Sequence, residues 1–264
     1  MPLSFEDALD RSAREVAALL DRLLPVDASP APRLIEAMRY AALGPGKRLR
    51  PFLVIEAAAL FDVPRERALR VGAALECVHC YSLAHDDLPA MDNDDLRRGH
   101  ATTHRAFDEA TAILAGDALL TYAFEILSDP ETHSDAKVRV ELIGNLAKAS
   151  GMAGMAGGQM LDIGNGAPDI THMQSLKTGA LFRFACEAGA VLGGSDPTPL
   201  RRYAEHIGLA YQIVDDILDL ESSSETAIAR VETLTTAAIA ALEPYGERAD
   251  VLRQAARFMV TRRK

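Results

Sequence analysis

The sequence has no tryptophan, 5% aromatic residues and three cysteines in 264 positions, and each shortage excludes something. No stretch alternates β-branched and polar residues with period two between turn signals, so strands are not expected to build the core. An odd number of cysteines gives no disulfide framework and agrees with a reducing compartment. Cys77 and Cys80 form a CxxC pair, but only Cys186 and scattered histidines remain to complete the four ligands of a structural zinc site. Basic residues are short as well: 28 Lys and Arg against 38 Asp and Glu leave a net charge of -10. That balance argues against wrapping nucleic acid, whose affinity rests on neutralised phosphates, so any phosphate-binding site must be local. The longest uncharged apolar run, Ala149 to Leu161, falls short of the roughly 18 to 20 residues that span a bilayer, so no membrane span is expected. Glu6, Asp7 and Asp10 stand where a secretory signal would carry a basic patch and an apolar run, and the chain reads as cytoplasmic.

What is present is alanine, leucine and helical periodicity. The 48% hydrophobic content is enough for one large core, and the length is read as a single domain over residues 1–264. Glycine and proline cluster at Pro25 to Pro32, Gly44-Pro45-Gly46, Asp62 to Pro64, Asp129-Pro130, Gly164 to Pro168, Gly193 to Pro199 and Pro244 to Gly246. Between these breaks lie helical segments, and the fold class is all-α, a bundle of long helices. Leu209, Ile213, Ile217 and Leu220 are expected to form a stripe facing the core. Gly151, Gly154, Gly157 and Gly158 imitate a phosphate loop, but no Gly-Lys-Ser/Thr follows and no strand precedes them. Close helix packing through small residues is the preferred reading.

Two aspartate clusters interrupt otherwise apolar helices. The first, Asp86-Asp87-Leu88-Pro89-Ala90-Met91-Asp92, ends a run that begins near Val71. Pro89 kinks or ends that helix, which lets Asp92 return toward Asp86. The second, Asp215-Asp216-Ile217-Leu218-Asp219, sets Asp215 and Asp219 on one helical face, with Gln212 a turn before them. Carboxylates without cysteine or histidine suit Mg²⁺, which prefers to share its shell with a substrate phosphate. A calcium EF-hand fails, because counting from Asp92 its required glycine and glutamate fall on Arg97 and Thr103.

Two compact cationic islands accompany the clusters: Gly46-Lys47-Arg48-Leu49-Arg50-Pro51 and Arg97-Arg98-Gly99. Arginine forks and a lysine point charge fit diphosphate oxygens without metal. Glu76 to His85 leading into the first cluster, together with Lys177-Thr178-Gly179-Ala180 and Tyr211 to Asp219, resembles the trans-isoprenyl diphosphate synthases in their bacterial farnesyl-type form, from about Arg33 to Leu220. The resemblance implies helices around a central hydrophobic pocket, a homodimer, and joining of isopentenyl diphosphate to dimethylallyl or geranyl diphosphate. It implies that Asp86, Asp92 and Asp215 bind magnesium, three ions with the allylic diphosphate present, supported by Asp87, Asp216 and Asp219. Arg97, Lys177 and Gln212 would face the allylic diphosphate, while Lys47, Arg50, His79 and Arg98 would hold isopentenyl diphosphate without metal. The Lys177 carbonyl, Thr178 and Gln212 would shelter an allylic cation, and no covalent enzyme intermediate is needed. Tyr81 lies five residues or about 7.5 Å along the helix before Asp86, where a large ring would stop the growing chain, and the resemblance implies that this stop gives a C15 product, with C20 as the alternative.

One stretch departs from the family. A glycine- and lysine-bearing lid normally follows the second cluster, but here the chain reads Glu221-Ser222-Ser223-Ser224-Glu225-Thr226-Ala227, and Lys264 is its only lysine after Lys177. Either a lid segment is missing from this sequence at a join near 225/226, which is the expectation, or the lid is deleted and the chain is a catalytically impaired partner subunit. A terpene cyclase would have no task for Lys47, Arg50 and Arg98. A di-iron bundle suggested by Glu76-x-x-His79 lacks its second Glu-x-x-His.

Overall fold

A computed structural model of the chain describes residues 4–28, 30–164, 169–220 and 225–261; the side chains of 28, 215, 216, 218–220, 260 and 261 are outside the described residues. Its helices are α1 (Phe5–Leu23), α2 (Pro32–Leu43), α3 (Leu49–Ala59), α4 (Arg65–Asp86), α5 (Thr103–Ala106), α6 (Glu109–Ser128), α7 (Ala136–Ser150), α8 (Met155–Ile163) and α9 (Ile170–Gln174). A π-helical turn, Ser175–Gly179, then joins α9 to α10 (Ala180–Leu192), followed by α11 (Thr198–Leu220), α12 (Glu225–Ala241) and α13 (Asp250–Thr261). The only sheet among the described residues is a ribbon of β1 (Leu96–Arg97) and β2 (His100–Ala101), so the all-α expectation holds.

Sequence punctuation places the helix starts. Ser4, Asp108, Asp135 and Asp169 each accept a backbone N–H of the first turn of α1, α6, α7 and α9, and Pro32 opens α2 where its missing N–H costs nothing. The core is built around α4, which packs on α3 and α6, and α10, which packs on α3, α7 and α11. Every residue of α4 from Arg70 to Val78 is buried, which is why that stretch has no polar face. Phe52, Leu53, Val54 and Ile55 of α3 are withdrawn from water beside it, each worth roughly 1.5–3 kcal/mol.

Two expectations need amendment. The buried stripe of α11 is Leu200, Tyr203, Ala204, Ile207, Ala210 and Val214, whereas Leu209, Ile213 and Ile217 are half-buried and the Leu220 side chain lies outside the described residues. The register is set by Tyr203, whose fully buried ring reaches α13 and donates its hydroxyl to the Leu252 carbonyl. Second, α6 is long and apolar enough to cross a membrane by length and composition. Asp117 interrupts its apolar run in the sequence, and in the fold Ala112, Ala115, Gly116, Leu119 and Ala123 turn one side inward. Residues 221–224, just before the expected join at 225/226, are outside the described residues.

Candidate active site

The first cluster lies at the C-terminal end of α4, and the chain beyond it folds back on that end. Asp87 N–H still donates to the Leu83 carbonyl, Leu88 N–H bonds to His85 at 3.1 Å, and Asp92 N–H returns to the Asp86 carbonyl at 2.8 Å. The return expected from Pro89 is therefore a main-chain bond, and it draws the Asp92 residue back beside Asp86. Burial is the largest influence on Asp86 and raises its carboxyl to about 6; Lys177 opposes that rise, while neighbouring Asp92 adds to it.

Asp86 and Asp87 face different ways, as adjacent helical residues roughly 100° apart must. Asp86 lines a cavity of about 360 Å³ with Tyr81, His85, Gln159, Lys177 and Thr178. Asp87 is buried and paired with Arg97, whose Nε stands 2.7 Å from its Oδ1. Hydrogen bonding to Asp87 raises the Arg97 pKa above its usual value. Arg97 is thus committed to Asp87, and the two line a separate cavity of about 340 Å³.

The cationic island forms the wall of a third cavity, about 470 Å³, which brings Lys47, Arg50, His79 and Arg98 together. Arg48, at the start of α3, adopts a left-handed backbone (φ 50°) and sends its side chain inward. There its guanidinium pairs with buried Glu76 and donates to the carbonyls of Ala42 and Gly44, both at 2.7 Å. This strut turns Lys47 and Arg50 away from it: Lys47 lies over the Phe258 ring at 5.7 Å and Arg50 over Phe182 at 5.1 Å. Arg98 donates to the Pro45 carbonyl. Arg50 Nη1 is 3.3 Å from His79 Nε2, and burial with repulsion from Arg50 and Arg98 holds His79 well below its usual pKa. A neutral ring accepting from Arg50 follows. Among the described residues Arg50 Nε is buried without a partner, an uncommitted donor in a wall that both the Asp86 cavity and the cationic cavity share.

Lys177 and Thr178 reach the Asp86 cavity from the π-helical turn, a widening that recurs at functional sites. Lys177 pairs there with Asp162 of α8. The glycine run does pack closely: a Cβ at Gly158 would stand 2.2 Å from the Lys177 backbone nitrogen, so only glycine lets α8 lie against the turn. Gln212 lines another cavity, about 280 Å³, with Gly179 and Gln174. The side chains of Asp215, Asp216 and Asp219 lie outside the described residues, and among the described residues no three metal-ligating side chains converge. Sequence reasoning missed Gln159 and Asp162, although their spacing after the glycines sets both on one face of α8. It also gave no role to the pairing of Arg48 with Glu76, which commits Glu76 Oε1 to a buried guanidinium instead of a di-iron site.

Known proteins resemble this chain in sequence and fold. The polyprenyl synthetase family model matches residues 31–242. The chain is 46% identical over 239 residues to a farnesyl diphosphate synthase of Escherichia coli K12, covering 85% of this chain and 78% of that protein. It is 45% identical over 204 residues to the chloroplastic geranylgeranyl pyrophosphate synthase 7 of Arabidopsis thaliana, covering 73% of this chain and 58% of that one. The apo crystal structure of an FPP/GFPP synthase from Zymomonas mobilis superposes with a TM-score of 0.93 at 49% identity, covering 97% of this chain and 99% of that one. The chain belongs to the polyprenyl synthetase family. It is a prenyltransferase, and the farnesyl diphosphate synthases among its relatives support prenyl chain elongation to farnesyl diphosphate.

Proposed function

We propose that the chain condenses isopentenyl diphosphate with dimethylallyl or geranyl diphosphate and releases farnesyl diphosphate. The observation that carries this reading is the wall shared by two cavities, one acidic at Asp86 and one cationic, with Arg50 and His79 in both. An allylic diphosphate fits the first, its hydrocarbon directed toward Tyr81. Isopentenyl diphosphate fits the second, its diphosphate on Lys47, Arg50, His79 and Arg98.

The residues suit magnesium: hard oxygen donors, Asp86 on the cavity wall, and the Asp92 main chain bonded back to it. Asp86, Asp92 and Asp215 would hold the ions, three with substrate present, with Asp216 and Asp219 in support; Asp87 serves Arg97 instead. Bound magnesium would neutralise charge on the departing diphosphate. Lys177 adds positive charge at the same place, and Arg97 stands a few residues beyond Asp92. The allylic C–O bond breaks, its electron pair leaves with the diphosphate, and the cation is sheltered by the Lys177 carbonyl and Thr178 on the wall of the Asp86 cavity; Gln212 lines a different cavity and is left out of that role. The double bond of isopentenyl diphosphate then forms the new C–C bond. The departing diphosphate takes the proton, since His79, already accepting from Arg50 and flanked by cations, is a poor base.

We further infer a soluble, cytoplasmic homodimer, supported by Ile113 and Leu114, which are exposed and apolar on α6. Light scattering should give twice the mass of one chain, which exceeds 28.4 kDa when the lid segment is present. A lid segment missing at 225/226 remains part of this reading. The test is product analysis with Mg²⁺, isopentenyl diphosphate and either allylic primer. A C15 product abolished by Asp86→Ala supports the reading, and C20 keeps the chemistry but overturns the length assignment. No elongation by folded protein replaces synthesis with a binding or regulatory role.

A further inference from the structure

The stop at Tyr81 rests on a second ring and on a missing side chain. Tyr81 and His85 are one turn apart on α4, and their rings meet edge to face, centroids 5.7 Å apart at 79°. His85 is fixed in turn by α6: its Nε2 lies 3.0 Å from the Ile113 carbonyl oxygen, within hydrogen-bonding distance, with Asp117 Oδ1 at 4.0 Å. The imidazole reaches that carbonyl by occupying the space over Gly116. A Cβ there would stand 2.1, 2.5 and 2.8 Å from three of its ring atoms, closer than any packed side chain tolerates. Both rings line the Asp86 cavity, whereas Gly116 does not.

We propose that Gly116 and His85 are positioning residues for product length: Gly116 seats His85 against α6, and His85 braces the Tyr81 ring across the end of the cavity. The proposal rests on the reading of Tyr81 as the chain-length stop. With His85 seated, the Tyr81 ring cannot swing toward α6. With His85 displaced or its ring removed, that swing opens and the cavity deepens. Moving an aromatic ring by about 30° from its rotamer changes populations by roughly twofold to tenfold, and the product ratio should move on that scale.

The experiment measures the C20 to C15 product ratio of the full chain with Mg²⁺, isopentenyl diphosphate and geranyl diphosphate, for the parent and for Tyr81→Ala, His85→Asn, Gly116→Ala and the Gly116→Ala/His85→Asn double variant. Tyr81→Ala should lengthen the products. Gly116→Ala and His85→Asn should each raise the ratio at least about threefold, and the double variant should match His85→Asn, because no ring is left to displace. If Tyr81→Ala lengthens products while both positioning variants keep the parent ratio, the positioning role is wrong and the stop stands. If Tyr81→Ala leaves product length unchanged, the stop itself is wrong and this inference falls with it. Should Gly116→Ala fail to fold, His85→Asn alone decides in the same way.

Discussion

Replacing Arg48 with methionine should expose how much of the site rests on one buried ion pair. The Arg48 and Glu76 side chains are 5% and 4% exposed, and the same guanidinium satisfies the carbonyls of Ala42 and Gly44. Arg48→Met strands a carboxylate in the core beside α4, and breaking such a pair typically costs about 3–5 kcal/mol. That is a large part of the roughly 5–15 kcal/mol by which domains are stable. Adding Glu76→Leu removes the stranded charge and should recover most of the loss, leaving about 1–3 kcal/mol for the orphaned carbonyls. Urea unfolding of both single variants and the double variant at neutral pH measures this, with an expected coupling of at least about 2 kcal/mol. Arg48 also ties the loop bearing Lys47 to the helix bearing His79, so the KM for isopentenyl diphosphate should rise about tenfold in whichever Arg48 variant folds. A cost for Arg48→Met below about 1 kcal/mol, or additive single variants, would refute the strut.

Further outcomes follow from the same geometry. The folded Asp86 carboxyl is raised to about 6 from an ordinary 3.8, so in metal-free protein its contribution to stability is fully present below pH 3.8 and is lost as pH rises through 6. Asp86→Asn should therefore raise metal-free stability at pH 8 by about 1–2 kcal/mol, solvent screening included, and give no gain at pH 3.5; equal gains in urea midpoints at both would contradict this. Gly158→Ala must push α8 off the turn that bears Lys177, and kcat should fall about 100-fold with helicity by circular dichroism unchanged. Arg97→Leu strands buried Asp87 and should lower both stability and turnover; adding Asp87→Leu should restore stability but not turnover, and recovery of both would remove Arg97 from substrate binding.

The parts of this site that were legible in sequence are those that local geometry dictates. A helix period puts His79 two turns before Asp86, and Pro89 stops α4 so that Asp92 comes back to it. The divergence of Asp86 and Asp87 was there to be read, since neighbouring helical residues point about 100° apart, yet the sequence reading grouped Asp87 with the magnesium ligands and only the pairing with Arg97 separates them. What the sequence hid are partnerships between distant segments. Arg48 with Glu76, Lys177 with Asp162, and His85 with Gly116 each join helices whose approach depends on the whole bundle. The α11 stripe was misread for the same reason: its periodicity allows two adjacent faces, and only the Tyr203 contact with α13 selects between them.

These long-range pairs explain how opposite charges can be stored in one site without quenching it. Arg97 is held by Asp87, Lys177 by Asp162, and Arg98 by a backbone carbonyl. Asp86 meanwhile stays partly buried with a raised pKa, and Arg50 keeps one buried donor unused. Had the cations paired directly with Asp86, a magnesium diphosphate would have to break those pairs before binding. Because each cation has its own anchor, the carboxylate kept for the cation of the substrate complex and the donor kept for its anion are left unmet, on opposite sides of one wall. Gly158 and Gly116 serve that separation from behind: each gives up a side chain so that a helix can bring Lys177 or His85 to its place.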